Sequence, residues 1–93
     1  MNTAFLLAAR YDGRPIIPIE TVREDFFPHL TLKSLVDNIN TGKLALPMVR
    51  IGLGAKTAKG VHLTDLARYI DERAEAARKE CHQLTGQWPP RKG

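Results

Sequence analysis

The stretch Thr31-Leu-Lys-Ser-Leu-Val-Asp-Asn-Ile-Asn-Thr-Gly42 decides the fold. Its Thr31 is a favourable N-cap, and its Gly42 suits the left-handed residue that follows a helix. The residues between them predict a short helix with a narrow apolar face that packs on a core. That face consists of Leu32, Leu35, Val36 and Ile39.

A second short helix is predicted immediately upstream. Pro15-Ile-Ile-Pro18 reads as extended chain, because a residue that precedes proline is pushed away from helical backbone angles. The helix begins near Ile19 and ends before Pro28, and its inner positions are Ile19, Val22 and Phe26. Two short helices joined by a tight turn at His29-Leu30 predict a helix-turn-helix.

A small hairpin is expected to follow. Leu44–Ile51 predicts a strand entered through Pro47, and Val61–Leu63 predicts a short return strand. The connecting residues 52–60 carry glycines at both ends and lysines between them, so the tip of the hairpin is basic. The predicted fold is therefore mainly α with a small β-hairpin, a winged helix-turn-helix.

Two further helices are predicted outside this unit. A short helix capped by Asn2 or Thr3 runs to about Tyr11, and we expect it to bury Phe5, Leu6 and Ala9. A long C-terminal helix spans residues 64–84, with Thr64 as its N-cap. Residues 1–86 are expected to form a single domain, followed by a flexible tail at residues 87–93.

The positive charge is concentrated in one part of the chain. The 93 residues carry a formal net charge of +4, and no acidic residue occurs between Asp37 and Asp65. That acid-free segment contains Lys43, Arg50, Lys56 and Lys59. A basic field on one face favours binding to a phosphate backbone.

The sequence therefore predicts binding to double-stranded DNA. Side chains beside the apolar face of the second helix can reach base edges or phosphates in a major groove, and those of the hairpin can lie along a neighbouring groove. The predicted contacts are Thr31, Lys33, Ser34, Asn38, Lys43, Arg50, Lys56, Thr57 and Lys59. Asp37 argues against DNA binding by this face of the second helix, because a carboxylate repels phosphate.

The long C-terminal helix predicts self-association. Its apolar and small residues follow the 4-3-4-3 spacing of a helix-pairing seam. They are Ile70, Ala74, Ala77, Cys81 and Leu84. A homodimer is expected, because small DNA-binding domains gain affinity by pairing, although the seam could instead pack on the N-terminal helix of its own chain.

The order of these elements resembles known families. Residues 17–70 look like the winged helix-turn-helix of the excisionase and MerR-like group. The segments that carry this likeness are Leu32–Leu44 and Leu46–Gly52. Over residues 1–86 the chain is similar to the pyocin activator protein family (PrtN). Segments that carry this similarity include Met1–Leu7, His29–Thr31, Ala45–Pro47, Gly60–Leu63, Asp65–Ala67, Tyr69–Asp71, Lys79–Cys81 and Leu84–Gly86. The resemblance implies an activator of phage-derived genes, such as bacteriocin and lysis cassettes, that acts at a repeated promoter element.

Nothing in the sequence indicates an enzyme, a metal or a cofactor. The histidines and the single Cys81 lack zinc-ligand spacing, and Cys81 and His82 are adjacent, so they point to different sides of a helix. No apolar run reaches membrane-spanning length, and the apolar stretch Thr3–Ala9 lacks the basic segment of a signal peptide. A cytoplasmic, nucleoid-associated protein is expected.

Three functions remain compatible with the sequence. The first is a sequence-specific, dimeric DNA-binding activator that works on a promoter, with RNA polymerase as a further candidate partner. The second is an excisionase-like architectural protein that bends DNA through the same contacts. The third is a phage-derived adaptor that binds protein and no DNA. The acid-free segment favours the two DNA-binding alternatives.

Overall fold

The computed structural model describes residues 2–52 and 57–86. The chain is mainly helical with a small antiparallel sheet, as predicted. The elements in chain order are α1 (Thr3–Arg10), β1 (Ile16–Pro18), α2 (Ile19–Phe26), α3 (Leu32–Asn40), β2 (Val49–Ile51), β3 (Ala58–His62) and α4 (Leu63–Thr85).

The sheet has three strands where the sequence predicted two. β3 lies at its centre, antiparallel to both β1 and β2. The extended segment between the prolines supplies β1, in which Ile17 pairs with Val61, and both side chains are fully buried. Sequence patterning identified an extended segment there. It did not identify a strand, because the partner strand lies more than forty residues away along the chain.

The hairpin strands are placed differently from the prediction. β2 begins at Val49 and not at Leu44, because Leu46 turns into the core and Pro47 has no N–H to donate to a ladder. β3 begins at Ala58, and Leu63 already belongs to α4.

α4 starts without the predicted Thr64 cap. His62 is the N-cap, and its Nδ1 accepts a hydrogen bond from the Thr64 backbone N–H at 3.1 Å. The chain therefore passes from the central strand directly into the longest helix. This junction holds the first turn of α4 against the sheet.

The predicted inner face of α1 is wrong. Phe5 and Leu6 are 66% and 51% exposed, and Ala9 is exposed, whereas Leu7 and Tyr11 are buried. A run of six apolar residues, Ala4 to Ala9, presents apolar side chains on every face of a helix, so its periodicity could not identify the buried one. Packing against α4 decides the orientation, and Thr3 fixes it by donating to Asp71 at 2.6 Å.

The core lies between the sheet, α2, α3 and the first half of α4. Its fully buried side chains are Ile17, Val22, Leu35, Val61 and Leu66. Gly60 lets β1 approach β3 closely, because a Cβ atom there would lie 2.6 Å from both the Ile17 carbonyl oxygen and Ile16 Cγ2.

Candidate nucleic-acid interface

The turn between α2 and α3 is held by hydrogen bonds at both ends. Thr31 Oγ1 accepts from the Ser34 backbone N–H at 3.1 Å, which confirms Thr31 as the N-cap of α3. Arg23 donates to the Leu30 carbonyl oxygen at 3.1 Å and so ties α2 to the turn. Leu35 is fully buried and anchors α3 on the core. The other face of α3 is left in solvent.

Lys33 and Asp37 occupy the middle of this solvent face. Lys33 Nζ donates to the Asp37 carboxylate at 2.8 Å, and both side chains are largely exposed. The hydrogen bond from Lys33, and then the negative charge of Asp37, raise the pKa of the Lys33 ammonium. Asp37 therefore favours the charged form of Lys33, but Lys33 must leave Asp37 to contact a phosphate.

The predicted contacts on α3 do not all share one surface. Asn38 is partly buried and lines a cleft with Tyr69, Ile70 and Arg73, on the side of α3 that faces α4. Ser34 is also partly buried, whereas Lys33 and Thr31 are exposed. Helical spacing placed Asn38 beside the apolar face, but it could not show that this flank of α3 shares a cleft with α4.

Asn40 is a polar residue of this surface that the sequence reasoning missed. Arg50 Nη2 donates to Asn40 Oδ1 at 3.2 Å, which connects the end of α3 to β2. The signal was present in the sequence, because Asn40 follows Lys33 by seven residues, or two helical turns, on the same face. The contact with Arg50 required the fold.

Arg50 also lies directly opposite Lys59 in the ladder between β2 and β3. Directly opposed residues project from the same face of a sheet, and like charges in that arrangement are destabilising. Two cations thus stand side by side next to α3. A polyanion that binds both would remove their repulsion.

The remaining predicted residues are Lys43, Thr57 and Lys56. Lys43 is exposed just after α3. The Thr57 hydroxyl donates to the Ile51 carbonyl oxygen. Lys56 lies outside the described residues. We call Lys33, Asn40, Arg50 and Lys59 the α3–hairpin surface.

The comparison with family models identifies the chain. The model of the family described as "Pyocin activator protein PrtN" matches residues 3–77, from the start of α1 into α4. The chain belongs to this family. Membership suggests a transcription activator of pyocin genes, and the family is one of regulatory activators and not a known enzyme family. Comparisons with curated proteins and with solved structures gave no match.

The match in the pyocin activator family covers all of the α3–hairpin surface and stops within α4. α1 packs on α4, where Thr3 donates to Asp71, and Ile70 packs against the core. Among the predicted seam residues Ala74 is partly buried, whereas Ala77, Cys81 and Leu84 are exposed. The structure therefore divides the predicted seam between a packed start and an exposed end.

The described residues were also searched for other kinds of site. Residues 2–52 and 57–86 contain no group of three histidine, cysteine or acidic residues that could hold a metal ion. Within the same ranges no helix is both long and apolar enough to span a membrane.

Burial, and then a hydrogen bond to Asp25, raise the pKa of Tyr11 to about 12, so this hydroxyl stays protonated at neutral pH and joins α1 to α2.

Proposed function

We propose that this member of the pyocin activator family is a sequence-specific DNA-binding activator of phage-derived, pyocin-like bacteriocin and lysis genes. In this proposal α2 and α3 form a helix-turn-helix and the β2–β3 hairpin is its wing. The protein acts in the cytoplasm, at a promoter element on the nucleoid, where it assists RNA polymerase.

The observation that carries the proposal is the pair of adjacent cations beside α3. Arg50 and Lys59 are directly opposed, and Arg50 is oriented by Asn40. Within residues 2–52 and 57–86 neither cation has an ion-pair partner. A like-charge pair costs stability, so its position next to a solvent-facing helix favours a polyanionic ligand.

The dimensions of α3 suit a major groove. Its nine residues span roughly 14 Å, and its exposed face carries Lys33 and Asn40. Asparagine can pair with adenine and lysine with guanine or phosphate, whereas the hairpin cations would neutralise phosphates alongside. Asp37 lies between the two, and it would disfavour register shifts that bring a phosphate against it.

Binding and its salt dependence test the proposal. Duplexes selected from random DNA are labelled, and their affinity is measured by fluorescence anisotropy over a range of salt concentrations. Arg50→Ala should weaken binding to selected and random duplexes and flatten the salt dependence by about one phosphate contact. Arg68→Ala is the control, because it removes the same charge from an exposed side chain that lies in neither the α3–hairpin surface nor the second half of α4. Absence of binding by the parent at moderate salt would refute the proposal and favour the adaptor alternative.

The proposal includes a homodimer. α4 is 23 residues long, about 35 Å, and its seam residues Ala77, Cys81 and Leu84 are exposed. The exposed small residues beyond Ala74 allow a second helix to approach closely. Two linked copies would bind two half-sites with greater avidity than one copy binds a single half-site.

The architectural alternative uses the same DNA contacts. Family membership supports the activator. A promoter reporter in cells that lack an integrase separates the two, because only an activator raises expression there.

A further inference from the structure

A shallow groove of about 370 Å³ lies between α3 and the sheet. Most of its lining is apolar and comes from β1, the start of α2, α3 and the hairpin. The apolar members are Ile16, Pro18, Ile19, Leu32, Val36, Ile51 and Ala58. Leu32 was predicted to pack on the core, but it is 37% exposed, and Ile51 is 55% exposed.

Two cations of the α3–hairpin surface lie at the groove. Lys59 is part of its lining, and Lys33 follows Leu32 in α3, whereas Arg50 projects from the face of β2 opposite to Ile51. A duplex that contacts cations on both α3 and the hairpin must span the groove between them. Its apolar lining would then face DNA and not water.

One acidic residue shows which part of the DNA suits the groove. Glu20, exposed in the first turn of α2, belongs to the lining. A carboxylate repels phosphate but accepts a hydrogen bond from the amino group of cytosine. The basic border therefore fits phosphates, and the interior fits base edges.

We propose that Leu32 and Ile51 contact thymine 5-methyl groups and so contribute to the choice of DNA sequence. The methyl group of thymine is the apolar feature of the major groove, and apolar side chains recognise it by direct contact. This inference rests on the proposed function, and it assigns specificity to two residues that carry no charge or hydrogen-bonding group.

Replacing thymine by uracil in the DNA tests this directly, because it removes the methyl group and leaves base pairing unchanged. A selected duplex is prepared with thymine or with uracil at each position in turn. Parent protein should bind about three- to fourfold more weakly for each contacted methyl that is removed, the effect expected for burial of one such group. Leu32→Ala with Ile51→Ala should bind the two duplexes almost equally. Leu6→Ala, which removes an exposed side chain from α1, should discriminate as the parent does.

Each outcome decides the inference. Equal binding of thymine and uracil duplexes by the parent would overturn it and leave the groove to a protein partner or a second copy. Undiminished discrimination by the double variant would also overturn it, since the methyl contact would then lie elsewhere. No binding of any duplex would refute the proposed function and this inference with it, whereas the other two outcomes leave DNA binding intact.

Discussion

The α3–hairpin surface and the second half of α4 are both exposed, but their charges are arranged differently. The first places Arg50 directly opposite Lys59, so like charges are adjacent. The second pairs its charges along the helix, as Arg78 does with Glu75 at 3.5 Å, and interrupts them with alanines. Unbalanced charge favours a polyanion, whereas balanced charge around small residues favours another helix. We therefore propose DNA binding for the first surface and assembly for the second.

The largest effect is expected from a charge placed in the assembly surface. Ala77→Arg should convert the proposed dimer to a folded monomer, because Ala77 is exposed in the single chain but would meet its copy in the pair. Affinity for a two-half-site duplex should fall by about 100-fold or more as avidity is lost. Light scattering measures the oligomeric state, circular dichroism measures folding, and fluorescence anisotropy measures the affinity for DNA.

Gln83→Arg is the matched control, since it adds the same charge to the same half of α4 away from the seam. A parent that is already monomeric at micromolar concentration would contradict the assignment. An unfolded Ala77→Arg would instead show that the seam packs within its own chain.

The next largest effect concerns the cation pair. Arg50→Ala with Lys59→Ala should weaken DNA binding by roughly 50-fold near 0.1 M salt and lower the slope of log affinity against log salt by about two. The dimer should persist, which separates this variant from Ala77→Arg. An unchanged slope would show that these cations touch no phosphate.

Gly60 tests how the hairpin is attached to the core. Gly60→Ala would drive a Cβ atom against the Ile17 carbonyl oxygen, and a backbone atom cannot yield as a flexible side chain does. We expect a loss of about 2–3 kcal/mol in the free energy of unfolding, measured by urea denaturation. Lys59→Ala, one residue earlier on the other face, should change that free energy by less than about 0.5 kcal/mol. Similar values for the two variants would contradict the close approach of β1.

The smallest effect is expected at Tyr11, which contributes to neither surface. Its hydroxyl donates to Asp25 at 2.5 Å, so Tyr11→Phe should cost about 1 kcal/mol and leave DNA binding and assembly unchanged. The folded pKa of about 12 lies above the ordinary value of 10.0, so protonated Tyr11 contributes its full stability below pH 10 and loses it as the pH rises towards 12.

The tyrosinate absorbance and the urea midpoint should therefore change together in the parent over that range. In Tyr11→Phe the midpoint should depend less on pH there. An equal dependence in both proteins would show that another group causes the alkaline loss of stability.

The sequence by itself determined which segments of the chain are helical and the order in which the helices follow one another. Thr31 capped α3 and Gly42, at φ 80°, ended it, because caps and left-handed glycines act within a few residues of the chain. The acid-free segment between Asp37 and Asp65 likewise identified the basic part of the chain, since charge is a property of composition.

Only the tertiary structure decided which faces are buried and which side chains meet. Periodicity cannot orient the apolar run of α1, cannot show that Asn38 lines a cleft with residues of α4, and cannot bring Asn40 within 3.2 Å of Arg50. Nor can it pair Ile17 with Val61 across forty-four residues. Each of these contacts is selected by the packing of elements distant in sequence, whereas the sequence pattern reports only the local preference of each element.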